Sequence, residues 1–487
     1  MRGLGTTSPG RTERMNRTPS TTTTDGYDSF RLYLLLEATS RELEDTVLDV
    51  AQKSLKLTRI HEPNPAPEYT CISYVWGVEK MVNPFECGAA ILSPHTLPAL
   101  TSAIRNFDTP GFWIDAFCVP PSWPEKGATL ESMAYIYHHA ARVAVILSTE
   151  AYSAIRTILD GTGDMVPAMQ HFERCPWIRS VWTYQEVINN YNLYFISYDP
   201  CDRPIHGIDV LNVVCNRINQ FRTASRLHLS EAFPNLLAFE DLLLDWKVAY
   251  YEPSALQVMV GMQGREYVDP ANLWYAMIGA ITAKRVARPT NPTIEQLAER
   301  FMGICEQRGD FSFLFAAVER DEMRRWRPKA NYMLPVLRMG GSIGILEGYF
   351  NDNERLVLRG MIKYSVQHAT PGIAFYEWVE DWRQVQRSRI SIPEDHKENL
   401  DAFVQVLYKL LVEYGFTGTH ECIAVEDGLF FSQWPMPTGS EATVLVPTTI
   451  QYRMGAPALV VLGEGDWYAP GVFVGPVKKQ GEEVVLK

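Results

Sequence analysis

Tyr69-Thr-Cys-Ile-Ser-Tyr-Val-Trp-Gly77 reads as a buried strand closed by a glycine, and the segments on either side take their meaning from it. After a loop, Thr96-Leu-Pro-Ala-Leu-Thr-Ser-Ala-Ile-Arg105 has a helical start, with Pro98 tolerated in the first turn and Leu97, Leu100 and Ile104 on one side. Phe112-Trp-Ile114 is again strand-like and ends on Asp115. Glu125 to Ala141 carries Met133, Ile136, Tyr137 and Ala140 at helical spacing, and Val143-Ala-Val-Ile-Leu147 is an apolar, β-branched strand ending on Ser148. Strand, helix, strand, helix, strand predicts a parallel sheet with helices packed on it, an α/β doubly wound fold.

Upstream, Phe30 to Leu36 reads as one more strand, and Ser40-Arg-Glu-Leu-Glu-Asp as a capped helix start with Leu43, Val47, Val50 and Leu55 on its apolar face. His61 to Pro67 holds three prolines and predicts an extended connector. Residues 1–28 hold too few large apolar side chains to offset the entropy of ordering, so a disordered tail is expected. Downstream, Leu236 to Trp246, Leu273 to Ala283 and Thr293 to Gln307 read as helices. Leu356 to Leu358, Thr443 to Val446, Ala458 to Leu462 and Gly471 to Val474 predict a small antiparallel β module. The expected division is a tail (1–28), an α/β domain (29–195), a mainly helical region (196–340) and a mixed α/β region ending in the β module (341–487).

Charge and cysteine usage narrow the function classes. The formal net charge of −12 gives no general attraction to polyphosphate, which argues against nucleic-acid binding. The eight cysteines follow no CxxC or regular spacing, so reduced, mostly buried thiols and an intracellular, cytoplasmic protein are expected. No apolar run approaches the roughly 20 residues needed to cross a bilayer. Gly340-Gly-Ser342-Ile-Gly344 matches GxSxG, but no helix is expected to follow it. His138-His139 lacks the HExxH spacing of a metal site, and no metal is expected.

Three groups of residues remain as site candidates. Cys175-Pro176 precedes a helical run in which Ile178, Trp182 and Glu186 recur at intervals of four, on one face. A carboxylate one turn from an indole sits in a partly apolar wall, where its ionisation can be tuned. The plainer reading is a core tryptophan, with Glu186 paired to Arg179 or solvated. Asp115 stands at the carboxyl end of a strand, where open α/β sheets bind ligands; the alternative is a cap for the following loop. Tyr74, Trp76 and Gly77 end the first strand, where an aromatic ring could stack on a base and glycine allows close backbone approach, or where the rings simply fill core.

The blocks Tyr69 to Gly77, Thr96 to Ile104, Trp113-Ile-Asp-Ala-Phe-Cys-Val119, Glu125 to Ala140 and Trp177-Ile-Arg-Ser-Val-Trp-Thr-Tyr-Gln-Glu186, in this order, resemble the heterokaryon-incompatibility (HET) domain of filamentous fungi. The resemblance covers about residues 30–195. It implies a flavodoxin-like sheet akin to the Toll/interleukin-receptor (TIR) superfamily, and a role in nonself recognition and cell death. Some TIR proteins cleave NAD with a helix-borne glutamate four residues after a tryptophan, the step from Trp182 to Glu186. By that likeness Glu186 is the catalytic carboxylate, Tyr74, Trp76, Gly77, Asp115, Glu125 and Trp182 line the site, and NAD is a substrate rather than a resident cofactor. The partner it implies is a second copy or another incompatibility protein; a non-catalytic signalling or scaffold module is the alternative. The sequence departs from the family pattern at Val119-Pro120-Pro121, Lys126 and Thr129.

Overall fold

The computed structural model describes residues 30–38, 48–60, 66–85, 87–161, 163–223, 232–239, 253–282, 291–330, 344–369, 422–426, 428–434, 441–452, 455–463, 465, 467–475, 477–478 and 480–486. The expected tail, the helix start at residues 40–47, most of the connector from His61, the end of the helix expected to reach Trp246 and the first four residues of the GxSxG run lie outside them.

The first half builds ten strands: β1 (Leu32–Glu37), β2 (Leu48–Val50), β3 (Lys53–Ile60), β4 (Tyr69–Ser73), β5 (Met81–Val82), β6 (Ile91–Leu92), β7 (Gly111–Trp113), β8 (Arg142–Leu147), β9 (Leu193–Ser197) and β10 (Ile205–His206). Apart from the β5-β6 hairpin they join one sheet in the order β10-β9-β8-β4-β7-β1-β3-β2. β7, β4, β8 and β9 run parallel, so in space they are the second, first, third and fourth parallel strands of the chain. The direction of winding reverses between β4 and β8, and at such a reversal open α/β sheets leave a crevice outside the strand ends. Every residue of β4 and β7 is buried, as expected of parallel strands covered on both faces.

The sheet is mixed, which corrects the expectation of a purely parallel one. β10 adds antiparallel to β9, and β1, β3 and β2 continue antiparallel from β7. Val50 and Leu55, expected on a helix, lie instead in a hairpin whose turn is Ala51-Gln52, both at positive φ. Neither is a residue that favours that conformation, so the turn leaves no signature in the sequence.

Two expected helices are each divided. Glu125 to Ala141 forms Glu125–Glu131 and Met133–His139, parted at Ser132. The third block forms Pro176–Arg179 and Val181–Asn189, parted at Ser180, which is extended (φ −74°, ψ 138°) and caps the second helix. The break is held from outside: Val181 N–H donates to Glu266 O, and the buried Arg265 donates to the carbonyls of Ile178 and Ser180. Ile178 and Trp182 therefore do not share one helix face.

Further helices cover Gly207–Thr223, Ala255–Met262, Pro270–Ile281 and Ile294–Arg308. In Ile294–Arg308, Thr293 and Gln296 form a capping box at the start and left-handed Gly309 ends it. Pro270–Ile281 packs closely on Val181–Asn189. A Cβ on Gly279 would collide with Gln185 Oε1, while Asn189 Nδ2 donates to Gly279 O at 2.9 Å.

The C-terminal strands are β11 (Gly348–Phe350), β12 (Leu356–Ala369), β13 (Cys422–Val425), β14 (Gly428–Ser432), β15 (Ala442–Pro447), β16 (Gly455–Leu462), β17 (Trp467–Val474) and β18 (Glu482–Leu486). The 14-residue β12 pairs with both β13 and β15, so β12-β13-β14-β17-β16-β15 closes into an antiparallel barrel. It is larger than the small module expected, and closure removes the sheet edges. Inside, Tyr364 stacks on Phe473 at 5.0 Å among Ile362, Val444, Val446 and Val460. Outside, Leu429, Phe431, Leu445 and Val472 belong to the one continuous apolar core that runs back through Phe311–Phe315 to the first sheet. Among the described residues no helix is long and apolar enough to cross a membrane.

Candidate functional site

Two carboxylates mark the carboxyl ends of neighbouring parallel strands. The inner one, Glu186, projects from helix Val181–Asn189 and is 6% exposed. Its Oε2 accepts a hydrogen bond from Ser73 Oγ at the end of β4, and its Oε1 accepts one from Tyr137 OH at 2.9 Å. Ser73 Oγ in turn accepts from Trp177 Nε1 at 2.6 Å. Two separate elements thus bind one acid while a third braces Ser73, and Tyr137 is itself set edge-on against Trp113 of β7 at 5.6 Å.

Burial pushes the Glu186 carboxyl up to about 7. The Ser73 and Tyr137 hydrogen bonds favour the ionised form and the Asp115 charge disfavours it, and desolvation outweighs the two donors. Burial raises the Tyr137 phenol and the Cys71 thiol beside it as well, so the surroundings take up no second negative charge.

The outer carboxylate, Asp115, begins the short helix Asp115–Cys118 just past β7 and is half-buried. Oδ1 accepts from the Ala116 N–H at 2.7 Å and Oδ2 from Trp76 Nε1 at 2.7 Å. Burial raises it to about 6, against the pull of those two donors, of Tyr74 and of the Lys80 charge. Lys80 Nζ lies 4.9 Å from the Trp76 ring centre. Tyr74 is buried, with its hydroxyl 2.9 Å from Thr96 Oγ1. Gly77 is exposed at φ +68°, the left-handed conformation that glycine adopts without strain.

The fold therefore gathers Tyr74, Trp76 and Asp115 into one outer cluster and places Glu186 in an inner one. Trp182 is one turn before Glu186 on the same helix and half-buried. Glu125 opens helix Glu125–Glu131, and the hydrogen bonds that hold Glu186 and Asp115 do not include it. Arg179 pairs with Glu266, not with Glu186. Sequence reasoning missed Ser73 and Tyr137 as the groups that bind Glu186, and Trp177 as the donor that fixes Ser73. Ser73 was the accessible signal, because a hydroxyl inside a fully buried strand must find a partner.

Residues 69–163 match the family model described as heterokaryon incompatibility protein (HET). This stretch of the chain is a HET domain. The match takes in Ser73, Tyr74, Trp76, Asp115, Glu125 and Tyr137, and ends before Trp177, Trp182 and Glu186. Comparison with curated proteins and with solved structures gives no match.

Proposed function

We propose that this HET-type protein acts in nonself recognition by splitting NAD at the nicotinamide–ribose bond, with cell death as the outcome. The observation that carries the reading is the placement of Glu186, with its raised pKa, against Ser73 at the end of β4, beside the reversal of strand order and next to Asp115 on the adjoining strand end. The strand order second, first, third, fourth also fits a flavodoxin-like, TIR-like sheet.

In this reading the ribose lies over the strand ends, with its hydroxyls toward Glu186. As the bond from ribose C1′ to nicotinamide nitrogen breaks, nicotinamide leaves neutral with the bonding electron pair, and positive charge develops on the ribose. The Glu186 carboxylate stabilises that charge, water adds at C1′ and a proton is released. Trp76, fixed by Asp115, offers a ring face for stacking.

A second reading, a non-catalytic module acting by self-association, is favoured by one observation: both Glu186 oxygens already have partners and the side chain is nearly closed off from solvent. Expression in a filamentous fungal host separates the two. Growth arrest by wild type that is lost in both Glu186→Gln and Asp115→Asn, at equal protein levels, supports the enzyme; arrest undiminished in both contradicts it.

A further inference from the structure

Ile178, Trp182 and Glu186 follow the spacing of one continuous helix, yet the chain turns at Ser180, where ψ is 138° against about −42° in a helix. Both partners of the bond that would carry a helix across the turn are diverted. Trp182 N–H donates to Ser180 Oγ at 3.3 Å, and the Ile178 carbonyl it would otherwise reach accepts from Arg265 Nη1. Ser180 O accepts from the same nitrogen at 3.3 Å and from Thr183 Oγ1 at 3.0 Å. Local spacing thus favours a straight helix, and a side chain from far along the sequence selects the broken one.

Arg265 is itself fixed in place. It is 4% exposed, Nε donates to Gly261 O at 2.6 Å and Nη2 to Asn235 O at 3.2 Å. Its guanidinium lies 5.2 Å from the Tyr184 ring centre and 5.0 Å from that of Phe239. One rigid fork therefore ties together carbonyls from separate parts of the chain, which the point charge of a lysine does not reproduce. The segment around it grips the same helix: Glu266 N–H donates to Arg179 O, Gly261 leaves room for the Tyr184 ring and Gly279 for Gln185. Glu186 lies beyond the turn, so the half-rotation at Ser180 decides where its carboxyl points. The groups that act on that carboxyl directly are Ser73, Tyr137 and Asp115, with the Cys71 thiol alongside, and Arg265 reaches it through the helix.

Resting on the reading of Glu186 as the catalytic carboxylate, we propose that Arg265 is its positioning residue: by holding the chain broken at Ser180 it seats the Glu186 carboxyl on Ser73 and Tyr137. The unit that carries the chemistry then runs past the HET match at residues 69–163 and takes in the helices Ala255–Met262 and Pro270–Ile281.

The test is an isotope-edited NMR titration of the Glu186 carboxyl in the full chain, assigned by its loss in Glu186→Gln, for wild type, Arg265→Met and Arg265→Lys. Arg265→Met is expected to lower the Glu186 midpoint from about 7 by about 1 or more, as the carboxyl swings toward water. A residue that only adds stability would leave the midpoint of the folded protein where it is. Arg265→Lys keeps the charge and the stem, is expected to move the midpoint the same way by less, and decides if Arg265→Met fails to fold. With NAD, nicotinamide release by the folded variant is expected to fall about tenfold or more in kcat, with KM held within about twofold. A Glu186 midpoint that stays near 7 in the folded variant overturns the positioning role, whether or not NAD is split. So does kcat equal to that of an active wild type. A wild type that releases no nicotinamide, but whose Glu186 midpoint follows Arg265, supports the positioning and counts against the NAD reading alone.

Discussion

Glu186 and Asp115 are both acids at strand ends raised by burial, yet they are held in different ways. The partners of Glu186 come from β4 and from helix Met133–His139, and Ser73 ties it on to Trp177. Asp115 is held by its neighbour's N–H and by one indole on the adjacent strand end, with Lys80 at the rim. The inner acid is thus a joint of the fold whose ionisation the core opposes, while the outer acid orients a surface aromatic. A group can be central to structure and to chemistry at once, and the experiments below separate those roles.

The largest effect is expected for Glu186→Ala. It strands the Ser73 and Tyr137 hydroxyls and opens a cavity, costing about 4 kcal/mol in urea unfolding. Asp115→Ala, by contrast, is expected to cost less than half of that.

The pH dependence is next. The folded Glu186 titrates near 7, against about 4.5 for an ordinary glutamate. Between those values the unfolded chain gives up its proton first, so the native state loses stability as pH rises through the window, and the contribution is whole only below about 4.5. Relative to Glu186→Gln, wild type is expected to lose about 2.5 kcal/mol between pH 5 and pH 8. An unfolding free energy that moves in parallel for the two proteins across that range would show an ordinary, solvated carboxylate.

A smaller effect tests the helix pair that carries Glu186. Gly279→Ala drives a methyl into Gln185 Oε1, and a loss of about 2 kcal/mol is expected, read as a lower thermal midpoint. Trp76→Phe keeps an aromatic ring, though a smaller one, but removes the donor to Asp115. It is expected to cost about 1 kcal/mol and to raise the Asp115 pKa further, followed by NMR titration of the side-chain carboxyl.

Strands β4, β7 and β8 were legible because apolar, β-branched runs bounded by turns carry their own signal. The β2-β3 hairpin was not, since Ala51-Gln52 lacks turn chemistry. Nor was the closing of the barrel, because β12 meets β15 across a long intervening segment and no local pattern records that pairing. The same divide runs through the site. Glu186 and Asp115 stood out as charges against apolar runs, but their partners are tertiary. The helix break at Ser180 is dictated by Arg265, 87 residues from Ile178, and so had no local trace.

The most direct measurement is nicotinamide release from NAD by concentrated full-length protein, wild type against Glu186→Gln, with folding of both checked by near-UV circular dichroism. Release by wild type that falls by about a hundredfold or more in a folded Glu186→Gln is the result this account predicts. Equal rates for the two proteins, or no release by folded wild type even when it is concentrated or oligomerised, would contradict it.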